Sequence, residues 1–254
     1  MLAGIASAGM TLKFRKLTTV RWQDDAWIYK WRGAKLPHPV IGSALHPEEA
    51  GHVLFHEYVP KPGDVVFDVG AGVGDTSLLF SRFVGDRGKV IAIEAHPDTF
   101  GWLTRLCRLN GLENVTPLQL AVSDRDGELV ISDEASLSNS VVDRDEADLG
   151  LTVPARRLDS IALDLGVETI DFLKMNIEGA ERLALGGMEE MIGKTRHVCI
   201  SCHDFMADRG GSDQMRTKAF VSDLLTAHGF ALTSRENAAD WILSYVYGRN
   251  TNYP

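Results

Sequence analysis

Short continuous apolar runs alternate with amphipathic stretches from about residue 64 onward. Asp64–Val69, Lys89–Glu94, Val115–Val122, Ile170–Ile177 and Val198–His203 read as strands apolar on both faces, the pattern of a buried parallel sheet. Between them the 3.6-residue period predicts helices over Thr76–Val84, over Pro97–Asn110 with Gly111 as its cap, and over Asp213–His228 closed by Gly229. Residues 128–132 and 151–157 read as a hairpin flanking a polar insert, 133–150, a candidate lid. Phe230–Ser234 and Trp241–Tyr247, joined by a short turn, should pair antiparallel. The expected fold is α/β, a Rossmann-like doubly wound, mostly parallel sheet of five parallel strands with a C-terminal antiparallel hairpin.

Ahead of this pattern, residues 1–46 form an N-terminal extension with aromatic pairs Trp22/Trp27 and Tyr29/Trp31 in a short hairpin that the Pro37-His38-Pro39 stretch ends. Their expected roles are to pack on the core or to cover a substrate pocket. Pro47, Glu48 and Glu49 then open a helix, with Pro at its first turn and acids at its positive end.

Composition narrows the function classes. Lys and Arg total 26 against 35 Asp and Glu, a formal charge of −9, which argues against a phosphate-gripping nucleic-acid binder. Arg105/Arg108 and Arg156-Arg157 read as solvated charges. No stretch approaches 18 apolar residues, and Met1–Met10 lacks the basic start of a signal peptide, so no membrane partner is expected. Cys107, Cys199 and Cys202 are too few for a disulfide framework, and Cys199-x-x-Cys202 lies in an apolar run, so core cysteines and a cytoplasmic setting are expected.

The chemistry concentrates where strands meet helices. Asp68-Val69-Gly70-Ala71-Gly72-Val73-Gly74-Asp75-Thr76 places glycines between a strand and a helix N-terminus, where backbone amides approach a ligand closely. A dinucleotide fingerprint would carry glycine at 70, 72 and 75, and position 75 is Asp. Glu94, 24 residues after Gly70, ends the next strand as an acceptor for ribose hydroxyls. The ligand therefore reads as a nucleoside with a short polar tail, which S-adenosylmethionine fits. Asp68, Gly70, Ala71, Gly72, Asp75, Thr76, Glu94, Ala95, His96, Val122, Ser123 and Asn176 are the expected cofactor residues.

With that turn, Glu94-Ala95-His96-Pro97 and Leu173-Lys174-Met175-Asn176-Ile177-Glu178-Gly179-Ala180-Glu181 resemble the FkbM-type methyltransferases over about residues 60–205. The resemblance implies a class I methyltransferase domain over 47–254 that O-methylates small molecules, often sugar or polyketide hydroxyls of natural products. The chain departs from the family pattern at Asn176, where Asp is usual; an amide accepts and donates but is no base.

Methyl transfer from a sulfonium needs alignment, and an alcohol acceptor also needs its proton removed. His203 is the expected base, with Asp204 beside it to hold the ring and Asn176 touching cofactor or substrate. An alternative sets Asn176, Glu178 and Asp204 around Mg²⁺, though a metal is not expected. The rival readings are N-methylation, a non-catalytic binding module in view of Asn176, and a nicotinamide oxidoreductase, which Asp75 disfavours.

Overall fold

The computed structural model describes residues 19–41, 47–133 and 150–253. The first ten residues, read for a leader, and nearly all of the insert read as a lid lie outside the described residues.

A seven-stranded sheet carries the molecule. In chain order its strands are β4 (Val65–Val69), β5 (Lys89–Glu94), β6 (Val115–Gln119), β10 (Ile170–Met175), β11 (Thr195–Ser201), β12 (Phe230–Thr233) and β13 (Tyr245–Asn250). Their spatial order is β12-β13-β11-β10-β4-β5-β6. The five expected strands are parallel, and β13 pairs antiparallel with both β11 and β12. The register aligns Val198, Leu173, Phe67 and Ile91 across the centre.

Helices cover both faces, which is why these strands read as unbroken apolar runs. On one side α1 (Pro47–Leu54), α2 (Asp75–Val84) and α3 (Pro97–Asn110) bury Leu54, Leu79, Phe80 and Leu103 against Val66, Val90, Phe172 and Tyr247. On the other, α4 (Leu158–Asp164), α5 (Glu181–Gly186) and α7 (Lys218–Ala227) bury Ile161, Leu185 and Leu225 against Phe67, Ile93, Leu173 and Ile200. Two short helices, α6 (Asp204–Asp208) and α8 (Asp240–Leu243), sit at the carboxyl edge. Gly111 closes α3 in the left-handed conformation as expected. All three cysteines are buried and free. Among the described residues no helix is long and apolar enough to cross a membrane.

Several boundaries differ from expectation. The N-terminal aromatics form a three-stranded meander, β1 (Thr19–Gln23), β2 (Ala26–Trp31) and β3 (Ala34–His38), and β3 runs through Pro37 and His38 instead of stopping before them. An edge strand tolerates Pro, which removes no interior ladder bond. Tyr29, Trp31 and Leu36 pack on Leu78 of α2 and Leu106 of α3. The third core strand ends at Gln119; Ala121–Val122 is a separate strand, β7, in a small sheet with β8 (Gly127–Ser132) and β9 (Gly150–Arg156). The expected helix from Asp213 is a 3-10 turn over Asp213–Met215 followed by α7, because Asp204 accepts the amides of Thr217 and Lys218 and fixes the start there. Trp241 lies on α8, not on the last strand.

Candidate active site

The glycine turn after β4 is shaped by close backbone approach. Gly70, Gly72 and Gly74 have φ of 70, 57 and 93°. A Cβ on Gly70 would stand 1.9 Å from the Asn176 carbonyl oxygen, so the loops after β4 and β10 touch backbone to backbone. The amides of Gly70 and Ala71 donate to Ile93 O, at 3.0 and 2.9 Å. Glu94 ties the turn to α3, its Oε2 accepting from Gly72 N at 2.9 Å and its Oε1 from His96 N at 3.0 Å. Burial raises the Glu94 pKa, and those two amides oppose the rise.

Asp68, expected among the cofactor residues, spends its carboxylate on the turn itself. It is fully buried beneath the turn. Its Oδ2 accepts from Thr76 Oγ1 at 2.8 Å and Ser77 Oγ at 2.6 Å, and its Oδ1 lies 2.9 Å from Lys174 Nζ. Lys174 donates onward to Gly70 O at 2.6 Å. The pair holds the turn in place, and Asp75 faces the cleft above it. Burial pushes the Asp75 carboxyl up to about 6, against the pull of the Thr76 amide and Lys174.

His203 also sits differently from expectation. It is 3% exposed, and its partners are Glu178 of the loop after β10 and Glu181 at the start of α5, not Asp204. Nε2 lies 3.3 Å from Glu178 Oε2 and Nδ1 3.2 Å from Glu181 Oε1. Glu181 is fixed in turn by the Thr217 hydroxyl at 2.9 Å and the Gly179 amide at 3.2 Å. Burial alone would lower the His203 pKa, but the hydrogen bonds and charges of Glu178 and Glu181 outweigh it and raise it to about 9. A ring with both nitrogens engaged and a proton already bound at neutral pH is no general base. Asp204 spends its carboxylate on the start of α7 and does not line the cavity that Asn176 and Glu178 share.

A cavity of about 560 Å³ opens at the carboxyl edge of β4, β5, β6 and β10, the place where open α/β sheets bind ligands. Of the expected residues, Gly70, Ala71, Gly72, Asp75, Thr76, Glu94, Ala95, His96, Val122 and Asn176 line it. Asp68, Ser123, His203 and Asp204 do not. Ser123 is buried, its amide donating to Arg156 O at 2.9 Å and its hydroxyl to Asp124 at 3.2 Å. Asn176 Oδ1 is buried there with no partner among the described residues. The sequence did not point to His38, Glu49, Trp241 or Tyr245 as wall residues, and Glu178 reaches the wall with its carboxylate paired to His203. Trp22, Trp27 and Trp31 stay out of it.

Residues 68–232 match the family model of the methyltransferase FkbM domain. The chain belongs to the FkbM methyltransferase family. It is 28% identical to the 2-O-methyltransferase NoeI of Sinorhizobium fredii over 167 residues, 57% of this chain and 65% of that protein. It is 26% identical to the 31-O-demethyl-FK506 methyltransferase FkbM of Streptomyces tacrolimicus over 219 residues, 72% of this chain and 79% of that protein. The match takes in only 4% of a much longer synthetase that shares 38% identity over 84 residues. Among solved structures, the methyltransferase FkbM of Methylobacillus flagellatus superposes with a TM-score of 0.54 at 16% identity, over 80% of this chain and 50% of that one. That likeness is one of fold.

In this FkbM-family chain the His203 cluster should leave a mark on stability. Below pH 6.5 the histidine is protonated folded or unfolded, and the favourable pairing is fully present. Between 6.5 and about 9 only the folded chain keeps the proton, so stability falls as pH rises through that window. At ~1.36 kcal/mol per pH unit, roughly 2–4 kcal/mol is expected to be lost by the upper end. Denaturant midpoints at pH 6, 7.5 and 9 measure it, with His203→Gln flattening the profile. A wild-type profile already flat there would remove the ion cluster.

Proposed function

We propose that the chain transfers the methyl group of S-adenosylmethionine to a hydroxyl of a small molecule. The observation that carries the reading is the cavity wall, where the glycine turn, Glu94 and an Asn176 Oδ1 without a partner among the described residues face one space. Those groups suit this cofactor. Glu94 has lone pairs left for the ribose diol, Asn176 Oδ1 suits the cationic amino group, and Ala95, Val122 and Ile131 offer an apolar face to the adenine. When bound, the cofactor supplies an already activated methyl on its sulfonium. Two relatives, one named a 2-O-methyltransferase and one a 31-O-demethyl-FK506 methyltransferase, support a hydroxyl as acceptor.

With His203 locked, the proton acceptor in this reading is Glu178, which lines the cavity and whose carboxylate His203 positions. The net acidic charge of the chain fits a small-molecule partner better than a polyanion.

S-adenosylhomocysteine at a hundredfold excess over its Kd should stabilise the chain by about 2.7 kcal/mol, raising Tm by roughly 5–10 °C, while NAD leaves it unmoved. Glu94→Ala should weaken S-adenosylhomocysteine about tenfold or more by calorimetric titration, since it strips an acceptor from the ribose diol. A shift with NAD and none with S-adenosylhomocysteine would overturn the proposal.

A further inference from the structure

We propose that His38, the last residue of the N-terminal meander, is a cofactor-contacting residue whose Nε2–H donates to a ribose oxygen of the bound nucleoside. The inference rests on the S-adenosylmethionine reading above and adds to it a residue outside the family-matched span.

His38 is 2% exposed and lines the cavity. Its Nδ1 lies 3.0 Å from the Val40 amide and accepts that proton. An imidazole that accepts at Nδ1 carries its own proton on Nε2. Burial lowers the His38 pKa, and the Val40 amide, by donating to Nδ1, favours the neutral ring as well. Nε2–H is thus a buried donor, and it has no partner among the described residues. Buried donors are nearly always satisfied, and one left unpaired on a cavity wall points to a partner supplied by the ligand.

The fold sets which part of the ligand it meets. Lys35 exchanges two hydrogen bonds with Asn110 at the end of α3, N to Oδ1 at 2.8 Å and O from Nδ2 at 2.7 Å. Arg105, farther back along α3, donates to Asp24 O at 2.6 Å in the β1–β2 turn. Strand β3 therefore runs back along α3 from its last turn toward its first, where Thr99 and the capping His96 share the cavity wall with His38. That first turn follows directly on Glu94, the carboxylate suited to the ribose diol. A neutral donor and a carboxylate acceptor lining one cavity are complementary to a hydroxyl-bearing ring, since each hydroxyl can donate to one and accept from the other.

The test is calorimetric titration with two probes, S-adenosylhomocysteine and 5′-methylthioadenosine, which share the nucleoside and differ in the amino-acid tail. His38→Phe keeps ring volume without the donor, and should weaken both probes about tenfold; His38→Gln, whose amide reaches the Nε2 position, should stay within threefold of wild type. Unchanged affinity in His38→Phe overturns the proposal. Equal losses in the Phe and Gln variants also overturn it, because the residue is then structural, and a loss confined to S-adenosylhomocysteine moves the contact to the tail and overturns the ribose assignment. A wild-type chain that binds neither probe defeats the cofactor reading itself, a different result from any of these. Should the variants fold poorly, long-range ¹H–¹⁵N NMR on the wild-type chain reads the same point. A neutral His38 protonated on Nε2, with that proton shifted downfield on adding S-adenosylhomocysteine, supports the contact, whereas an Nδ1–H tautomer overturns it.

Discussion

Lys174→Met should cost the fold about 3–5 kcal/mol, read as a lower denaturant midpoint with an unchanged slope. Methionine nearly matches the volume of lysine, so the loss is electrostatic and not a cavity. Lys174 is 3% exposed and Asp68 is fully buried, with Nζ 2.9 Å from the carboxylate. Without the ammonium, Asp68 keeps only the Thr76 and Ser77 hydroxyls, and an ionised carboxylate in the core is left uncompensated. The Gly70 carbonyl also loses its donor, so the turn that lines the cavity loosens and S-adenosylhomocysteine affinity should fall with stability. The double variant Lys174→Met with Asp68→Asn should recover much of the loss, since the stranded charge is gone. A single-variant loss under about 1 kcal/mol would show that the pair contributes no more than an exposed ion pair does.

That ion pair also shows where sequence reading stops. Asp68 stood out because it precedes the glycine turn, and proximity along the chain suggested ligand contact. The structure turns it inward to a lysine 106 positions away, a pairing set by the register of β4 on β10. The same limit applies at His203, for which chain order offers Asp204 as the partner. The chain passes from β11 into α6 at His203, so the ring swings toward Glu178 and Glu181 while Asp204 faces α7. By contrast, features resting on local chemistry were legible. Strands β4, β5 and β10 announce themselves as apolar runs because both faces are covered, and Gly70, Gly72 and Glu94 follow from the needs of a tight turn at a strand end. His38, Trp241 and Tyr245 left no local trace. They reach the cavity through the docking of the meander on α3 and through the antiparallel hairpin, and neither leaves a spacing to read.

Glu178→Gln should lower kcat at least a hundredfold with S-adenosylhomocysteine affinity nearly unchanged, the signature of an interaction made in the transition state. Glu178 sits on the cavity wall at φ 49°, a left-handed conformation that a non-glycine residue adopts at a cost of about 1–3 kcal/mol. The loop holds that strain because His203 grips the carboxylate at 3.3 Å and is itself braced by Glu181 and Thr217. Glutamine matches the shape and can still accept from His203 Nε2–H, so the loop should keep its conformation and only proton acceptance is lost. In the proposed reading Glu178 would take the proton of the acceptor hydroxyl, and S-adenosylmethionine, when bound, would supply the activated methyl group. The proton then leaves for water through the mouth of the cleft. Both rates are to be measured with an acceptor found by screening for methylated products. His203→Gln should lower kcat by a smaller factor, since it disturbs the carboxylate without removing it. If Glu178→Gln turns over at the wild-type rate, the proton leaves by another route, and the buried His203 cluster serves the fold alone.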